Sequence, residues 1–208
     1  MKSLAIFAAL GLGAILGGCQ AIAPMTLGSV PDPKLNSRDQ EMMALAPALE
    51  WKIPYQRYLV QNTTGEPPGT IVVETSSKKL YFTLKDGTAI QYPVATGAAA
   101  YDWSGVAQVG RMVEWPTWMP TESIMERWPE FQVYRAHGPL AGAYDNPLSA
   151  RALYVYQGDH DTLYRIHGTN EPDEIGRSVS SGCIRMRDLD VIDLYSRVHV
   201  GTKIVVRS

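Results

Sequence analysis

From residue 70 onward the apolar positions gather in short runs separated by polar turns, the pattern of strands rather than helices. Ile71-Val72-Val73-Glu74-Thr75 and Leu80-Tyr81-Phe82-Thr83-Leu84 are rich in β-branched and aromatic residues, with Ser76-Ser77-Lys78-Lys79 between them. Lys85-Asp86-Gly87 makes a tight turn into a third run, residues 89–94, so the three runs predict a meander. Further runs occupy residues 152–156, 162–166 and 203–207. Only Leu189, Ile192, Tyr195 and Val198 fall near helical spacing, with Asp188 placed to cap them. Asp188, Asp190 and Asp193 read as that helix's cap and solvated face. The intervening residues 98–150 are irregular, with Trp103, Trp115, Trp118 and Trp128 cut apart by Pro116, Pro120, Pro129 and Pro139. Such aromatic density fits either a substrate-gripping lid or a small core beneath a long loop, and Tyr134 and Tyr144 share the ambiguity. The pattern predicts a mainly β (α+β) domain over residues 66–208 with one helix near its end.

The first residues follow another logic. Met1-Lys2-Ser3 precedes an uncharged, largely apolar stretch that runs to Gly17-Gly18-Cys19. That stretch of roughly 16 residues is short of the ~20 needed to span a bilayer, so residues 1–18 read as an export signal. Leu16-Gly17-Gly18-Cys19 resembles a bacterial lipobox, which implies that Cys19 becomes the lipidated first residue of the mature chain. The competing reading, cleavage after Ala21-Ile22-Ala23, would leave Pro24 after the cut, a poor fit. A retained anchor helix ranks last. Two or more acyl chains would hold the chain stably on a bilayer. Gln20 after the cysteine points to the outer membrane rather than the inner. Residues 19–65 contain scattered Pro, Ser, Asn and Asp, plus an apolar patch at 42–49 broken by Pro47. They predict a tether with one helical turn and a lead-in segment.

The length of 208 residues with 45% hydrophobic content supports one domain with a core. A net charge of −2 argues against a broad nucleic-acid binder, and two cysteines exclude a multi-disulfide scaffold. If Cys19 carries lipid, Cys183 is the only free thiol, either buried and inert or kept for its reactivity.

The chemistry concentrates around that thiol. His167 ends the predicted strand of Tyr164-Arg165-Ile166-His167-Gly168, and Cys183 follows sixteen residues later in Ser180-Ser181-Gly182-Cys183-Ile184-Arg185. A loop of that length folds back far enough to set imidazole against sulfur. A free thiol with pKa near 8.5 is only slightly ionised at neutral pH, and an imidazole that takes its proton would raise the reactive fraction. Gly182 removes a side chain where backbone N–H groups could face an oxyanion. His137 and His160 read as exposed loop residues, and their spacing to His167 and Cys183 matches no usual zinc pattern. His199 sits at a helix end, where the dipole alone accounts for it.

These two segments resemble the catalytic motif of the L,D-transpeptidases, the ErfK/YkuD-type domain of bacterial cell-wall enzymes. The matching positions are His167, Gly168, Ser180, Gly182, Cys183, Ile184 and Arg185. Tyr92-Pro93-Val94-Ala95-Thr96-Gly97, Asn146-Pro147-Leu148 and Gly201-Thr202-Lys203 add support, so the similarity covers about residues 70–206. The resemblance implies a β-sandwich-like catalytic domain, with the helix after the cysteine. By the same resemblance Cys183 is an acyl-accepting nucleophile, His167 its base, and the Gly168 carbonyl the group that orients the imidazole. Backbone N–H groups around Ser181, Gly182 and Cys183 would form the oxyanion hole, and Ser180 would support the loop. Arg185 would hold a substrate carboxylate or a neighbouring acid.

The family reaction cleaves a peptidoglycan stem tetrapeptide before its terminal D-alanine through a thioester. The acyl group passes to an amine of another stem or of a wall-anchored lipoprotein, and no metal or organic cofactor takes part. The expected setting is the cell envelope, periplasmic and lipid-anchored, with no nucleic acid as partner. Two alternatives stand: hydrolytic use of the same site, as an L,D-carboxypeptidase or amidase, and a non-catalytic wall-binding lipoprotein. Two positions depart from the family pattern. Trp103-Ser104-Gly105-Val106 replaces a Thr-Pro-x-Gly motif, and Ser149 stands where glycine is usual.

Overall fold

The computed structural model describes residues 24–46, 56–97, 104–180 and 182–208. Along the chain come β1 (Thr26–Ser29), α1 (Ser37–Leu45), β2 (Tyr58–Gln61), β3 (Ile71–Glu74), β4 (Lys79–Thr83), β5 (Thr88–Pro93) and β6 (Thr96–Gly97). β7 (Gly105–Glu114) leads into a long excursion carrying α2 (Glu122–Arg127) and α3 (Tyr134–His137), from which β8 (Arg151–Gln157) and β9 (His160–His167) return. β10 (Ser178–Ser180), β11 (Ile184–Arg185), α4 (Asp188–Arg197) and β12 (Lys203–Arg207) follow.

The predicted meander is present as β3, β4 and β5, antiparallel with Ile71 opposite Phe82 and Phe82 opposite Ile90. Asp86 closes its second turn by accepting from the Thr88 N–H at 3.1 Å. Ten strands join in one hydrogen-bonded sheet, ordered β1-β2-β5-β4-β3-β12-β7-β8-β9-β11. The sheet is curled, as two contacts show. β3 and β11 stand five places apart in that order, yet Val73 and Ile184 line one void of about 20 Å³. Ala95, just past β5, exchanges two backbone hydrogen bonds of 2.9 Å with Arg185 of β11. The inner face therefore closes over one core containing Val73, Leu80, Ile90, Val155, Ile166, Ile184 and Ile204, which is the sandwich-like arrangement expected. Each such side chain contributes about 1.5–3 kcal/mol of burial. β6 and β10 form a small parallel pair beside the seam.

Two expectations are corrected by long-range partners. Residues 24–46 were expected within the tether. Instead β1 pairs with β2, and α1, capped by Asn36 in a reciprocal box with Asp39, docks on the domain. Asp39 is 1% exposed and accepts from both terminal nitrogens of Arg151 at 2.8 Å and from Trp115 Nε1 at 2.9 Å. The signal, Cys19 and residues 47–55 lie outside the described residues.

The α4 acids are not solvated either. Asp190 is fully buried and binds Arg57 and Arg187. Asp193, also buried, accepts from the Tyr92 hydroxyl at 2.6 Å and from Arg197. Arg187 occupies the cap position but caps no backbone N–H with its side chain. Asp188, the first helical residue, instead accepts from Ser149 Oγ at 2.6 Å and from the Ala150 N–H at 3.3 Å. These buried carboxylates survive because each is hydrogen-bonded, and Asp190 and Asp193 are ion-paired as well.

Candidate active site

The outer face of the curled sheet carries two parallel rows of side chains, set by strand register. His167 of β9 stands opposite Ala152 of β8 and Arg185 of β11. One row along, Arg165 stands opposite Tyr154, and the pairing of Ile184 with Ile166 brings Cys183, just ahead of β11, alongside Arg165. Because side chains alternate along a strand, His167, Arg165, Arg185 and Cys183 share a face while Ile166 and Ile184 point into the core. His167 and Cys183 are thus diagonal neighbours on adjacent parallel strands, on one face of the sheet. The Arg165 backbone N–H acts on the Cys183 sulfur, which fixes the same alignment.

His167 is buried, and its Nδ1 lies 2.6 Å from the Gly168 carbonyl oxygen. A carbonyl only accepts, so Nδ1 carries the proton and Nε2 is left as the basic nitrogen. Burial holds the imidazole down at about 4, helped by the Arg185 and Arg165 charges, while the Gly168 and Pro147 carbonyls only partly oppose this. The carbonyl is itself fixed: the Gly168 N–H donates to the Arg151 oxygen at 3.0 Å. A side chain at residue 168 would run into the Asp188 carboxylate and the Ala150 nitrogen, so this approach demands glycine.

Cys183 is half-buried, and burial pushes its thiol above the ordinary range despite the Arg165 N–H and the Arg165 and Arg185 charges. Burial thus favours the neutral form of both groups, because desolvation outweighs the local cations. Gly182 has φ of +132°, and a Cβ there would lie 2.5 Å from the Tyr164 ring, so both backbone and packing exclude a larger residue. Ser180 ends β10, and Ser181 lies outside the described residues. Arg185 is held by two acids, Glu171 at 2.8 Å and Glu174, so it meets neighbouring carboxylates.

The loop at residues 146–150 supports the imidazole from below. Asn146 is buried, donates to the Pro116 and Ala141 carbonyls at 3.1 and 2.9 Å, and accepts from the Leu148 N–H at 2.9 Å. Ser149 adopts a left-handed φ of +45°, where glycine would be unstrained, and its hydrogen bond to Asp188 offsets that cost.

A groove of about 570 Å³ opens over Cys183. Tyr154, Leu163, Tyr164 and Arg165 of the sheet form one wall, and Trp118, Met119, Ile124 and Pro139 of the excursion form the other. Trp118 and Leu140 exchange backbone hydrogen bonds at the neck of this excursion, and the Trp118 ring meets Phe131 and Tyr134 edge-on at 5.7 Å. Within the aromatic segment Trp115 belongs to the core and Trp118 walls the groove. His137 closes α3, His160 begins β9 and His199 follows α4, all away from the pair. Among the described residues no group of three or more His, Cys, Asp or Glu is arranged for a metal. Arg165 and Tyr154 were not singled out from the sequence, and Asp188 was read only as a helix cap. For Arg165 the signal was there, because a strand ending at His167 sends residue 165 to the same face.

The chain matches the profile of the YkuD L,D-transpeptidase catalytic domain over residues 68–206. It therefore belongs to the L,D-transpeptidase catalytic-domain family. It is 35% identical over 159 residues to the probable L,D-transpeptidase YbiS of Escherichia coli K12, covering 72% of this chain and 47% of that protein. A solved Brucella melitensis protein, described as a probable carnitine operon oxidoreductase, is 39% identical, with a TM-score of 0.52 over 77% of this chain and 99% of that one. An L,D-transpeptidase mutant from Enterococcus faecium, 17% identical, shares the fold, with a TM-score of 0.50 over 68% of this chain and 50% of that one. The chain spans about half the length of the curated relatives it matches.

Proposed function

We propose that this chain is a peptidoglycan L,D-transpeptidase acting on stem tetrapeptides through a thioester on Cys183. The observation that carries this reading is the diagonal placement of Cys183 and His167 on one face, with His167 Nδ1 tied to the Gly168 carbonyl and the sulfur at the groove.

In the first step the sulfur attacks the carbonyl of the L-centre ahead of the terminal D-alanine, and His167 Nε2 takes the thiol proton. Backbone N–H groups of residues 181–183 receive the oxyanion. The C–N bond then breaks, His167 returns the proton to the leaving amine, and D-alanine departs. In the second step an amine attacks the thioester, the C–S bond breaks, and His167 carries a proton from nitrogen back to sulfur. The thiol proton passes to His167 as the C–S bond forms, and the Arg165 and Arg185 cations oppose the imidazolium so made. The acceptor is the amine of a second stem or of a wall-anchored lipoprotein. The chain works in the cell envelope, lipid-anchored through Cys19.

Incubating the protein with purified disaccharide tetrapeptide and weighing the products by mass spectrometry tests this. Wild type is expected to release D-alanine and form cross-linked dimer, and Cys183→Ala to do neither. Equal release from both would overturn the reading, and free tripeptide without dimer would reassign the second step to water.

A further inference from the structure

The row that ends at Cys183 extends further across the sheet than the reaction requires. Arg111 of β7 stands opposite Tyr154, and Tyr154 stands opposite Arg165, so one line runs Arg111, Tyr154, Arg165, Cys183 over four adjacent segments. Both guanidiniums lie over the Tyr154 ring, Arg165 at 4.2 Å and Arg111 at 4.9 Å from its centroid.

The two cations differ in their partners. Arg165 is neutralised by Asp161, which accepts two bonds of 2.7 and 2.9 Å. Arg111 is exposed and makes no ion pair among the described residues. A positive charge without an ion pair is thus stacked on the Tyr154 ring, which lines the groove, in a chain whose net charge is −2. Cation–π stacking restricts the guanidinium without consuming its N–H donors, which keeps its fork available to a carboxylate.

Strands are spaced about 4.8 Å apart, which puts Arg111 roughly 10 Å from Arg165's strand and 14 Å from the sulfur's. An extended peptide advances about 3.3 Å per residue, so a carboxylate two or three residues from the acylated carbonyl comes within reach of the arginine side chain. We propose that Arg111, held on Tyr154, is a specificity-determining residue that binds an internal carboxylate of the substrate peptide. This assignment rests on the stem-peptide reading above and adds to it a preference for free acid over carboxamide.

The test uses the full chain carrying Cys183→Ala, titrated calorimetrically with two stem tetrapeptides. One has free internal carboxylates and the other has them as carboxamides, and both keep a free C-terminus. The free-acid peptide is expected to bind about tenfold tighter, the contribution of one charge-assisted contact. That preference falls below about twofold in Arg111→Gln and is partly kept in Arg111→Lys. Equal binding of the two peptides, binding of neither, or a preference that survives Arg111→Gln overturns the proposal. D-alanine release by the chain with Cys183 intact is measured separately on both peptides. Its absence overturns the transpeptidase reading, while the calorimetric preference still decides the role of Arg111.

Discussion

Cys183 and His167 each resist charging, the thiol because burial pushes it up and the imidazole because burial and two arginines hold it at about 4. Burial therefore disfavours a resting thiolate–imidazolium pair in the free protein. Alkylation of Cys183 by iodoacetamide, followed by peptide mass mapping, is expected to accelerate through a midpoint above the ordinary thiol value of about 8.5. A midpoint below 8 would contradict the neutral pair. Gly182 supplies a second test at this scale. Gly182→Ala forces a side chain into a φ of +132° and against Tyr164, a cost of about 1–3 kcal/mol. Urea unfolding should register that loss, with D-alanine release reduced at least about tenfold as the backbone beside the sulfur shifts. Unchanged stability would remove the strain argument.

Among the elements, the meander β3 to β5 was legible because its β-branched runs and turn residues are local signals. The α4 helix was legible by spacing, but the burial of its acids was not. Asp190 takes its partner Arg57 from 133 residues away, and Asp193 takes Tyr92 from 101 residues away, so no window along the chain contains the pair. The docking of α1 on the domain was missed for the same reason, its anchor being Arg151, 112 residues distant. That helix carries a prediction of its own. Asp39 grips Trp115, where β7 ends, and Arg151, where β8 begins, and thereby clasps the neck of the excursion that walls the groove. Asp39→Ala strips a buried guanidinium of its acid and should cost about 3–5 kcal/mol in urea unfolding. Pairing it with Arg151→Met should recover a large part, since the uncompensated charge is then gone. A loss under 1 kcal/mol for the single variant would show that α1 is not held by this ion pair.

At the scale of the whole molecule, the candidate site lies at the seam where the curled sheet meets itself through Ala95 and Arg185. The motif in the sequence marked which residues to watch. It carried no information on the closure that buries them, which depends on strands brought together from both ends of the domain, and the raised thiol and lowered imidazole follow from that burial. The same burial links the site to global stability. An imidazole held at about 4 in the folded chain and titrating near 6.5 when unfolded is bound to fewer protons in the native state between those values. Its contribution is fully present above pH 6.5 and is lost as pH falls toward 4. By pH 5 the loss relative to pH 7 comes to about 2 kcal/mol. Glu174, raised by burial, acts in the opposite sense at the acid end of that window, so the raw profile mixes the two. Urea unfolding of wild type and His167→Gln at pH 7, 6 and 5 separates them. Wild type should weaken steeply across the series, and the variant, which has no ring to protonate, should weaken by about 2 kcal/mol less. Parallel profiles would mean that His167 is open to water in the folded protein, and with that the physical basis for a neutral, preorganised base would be gone.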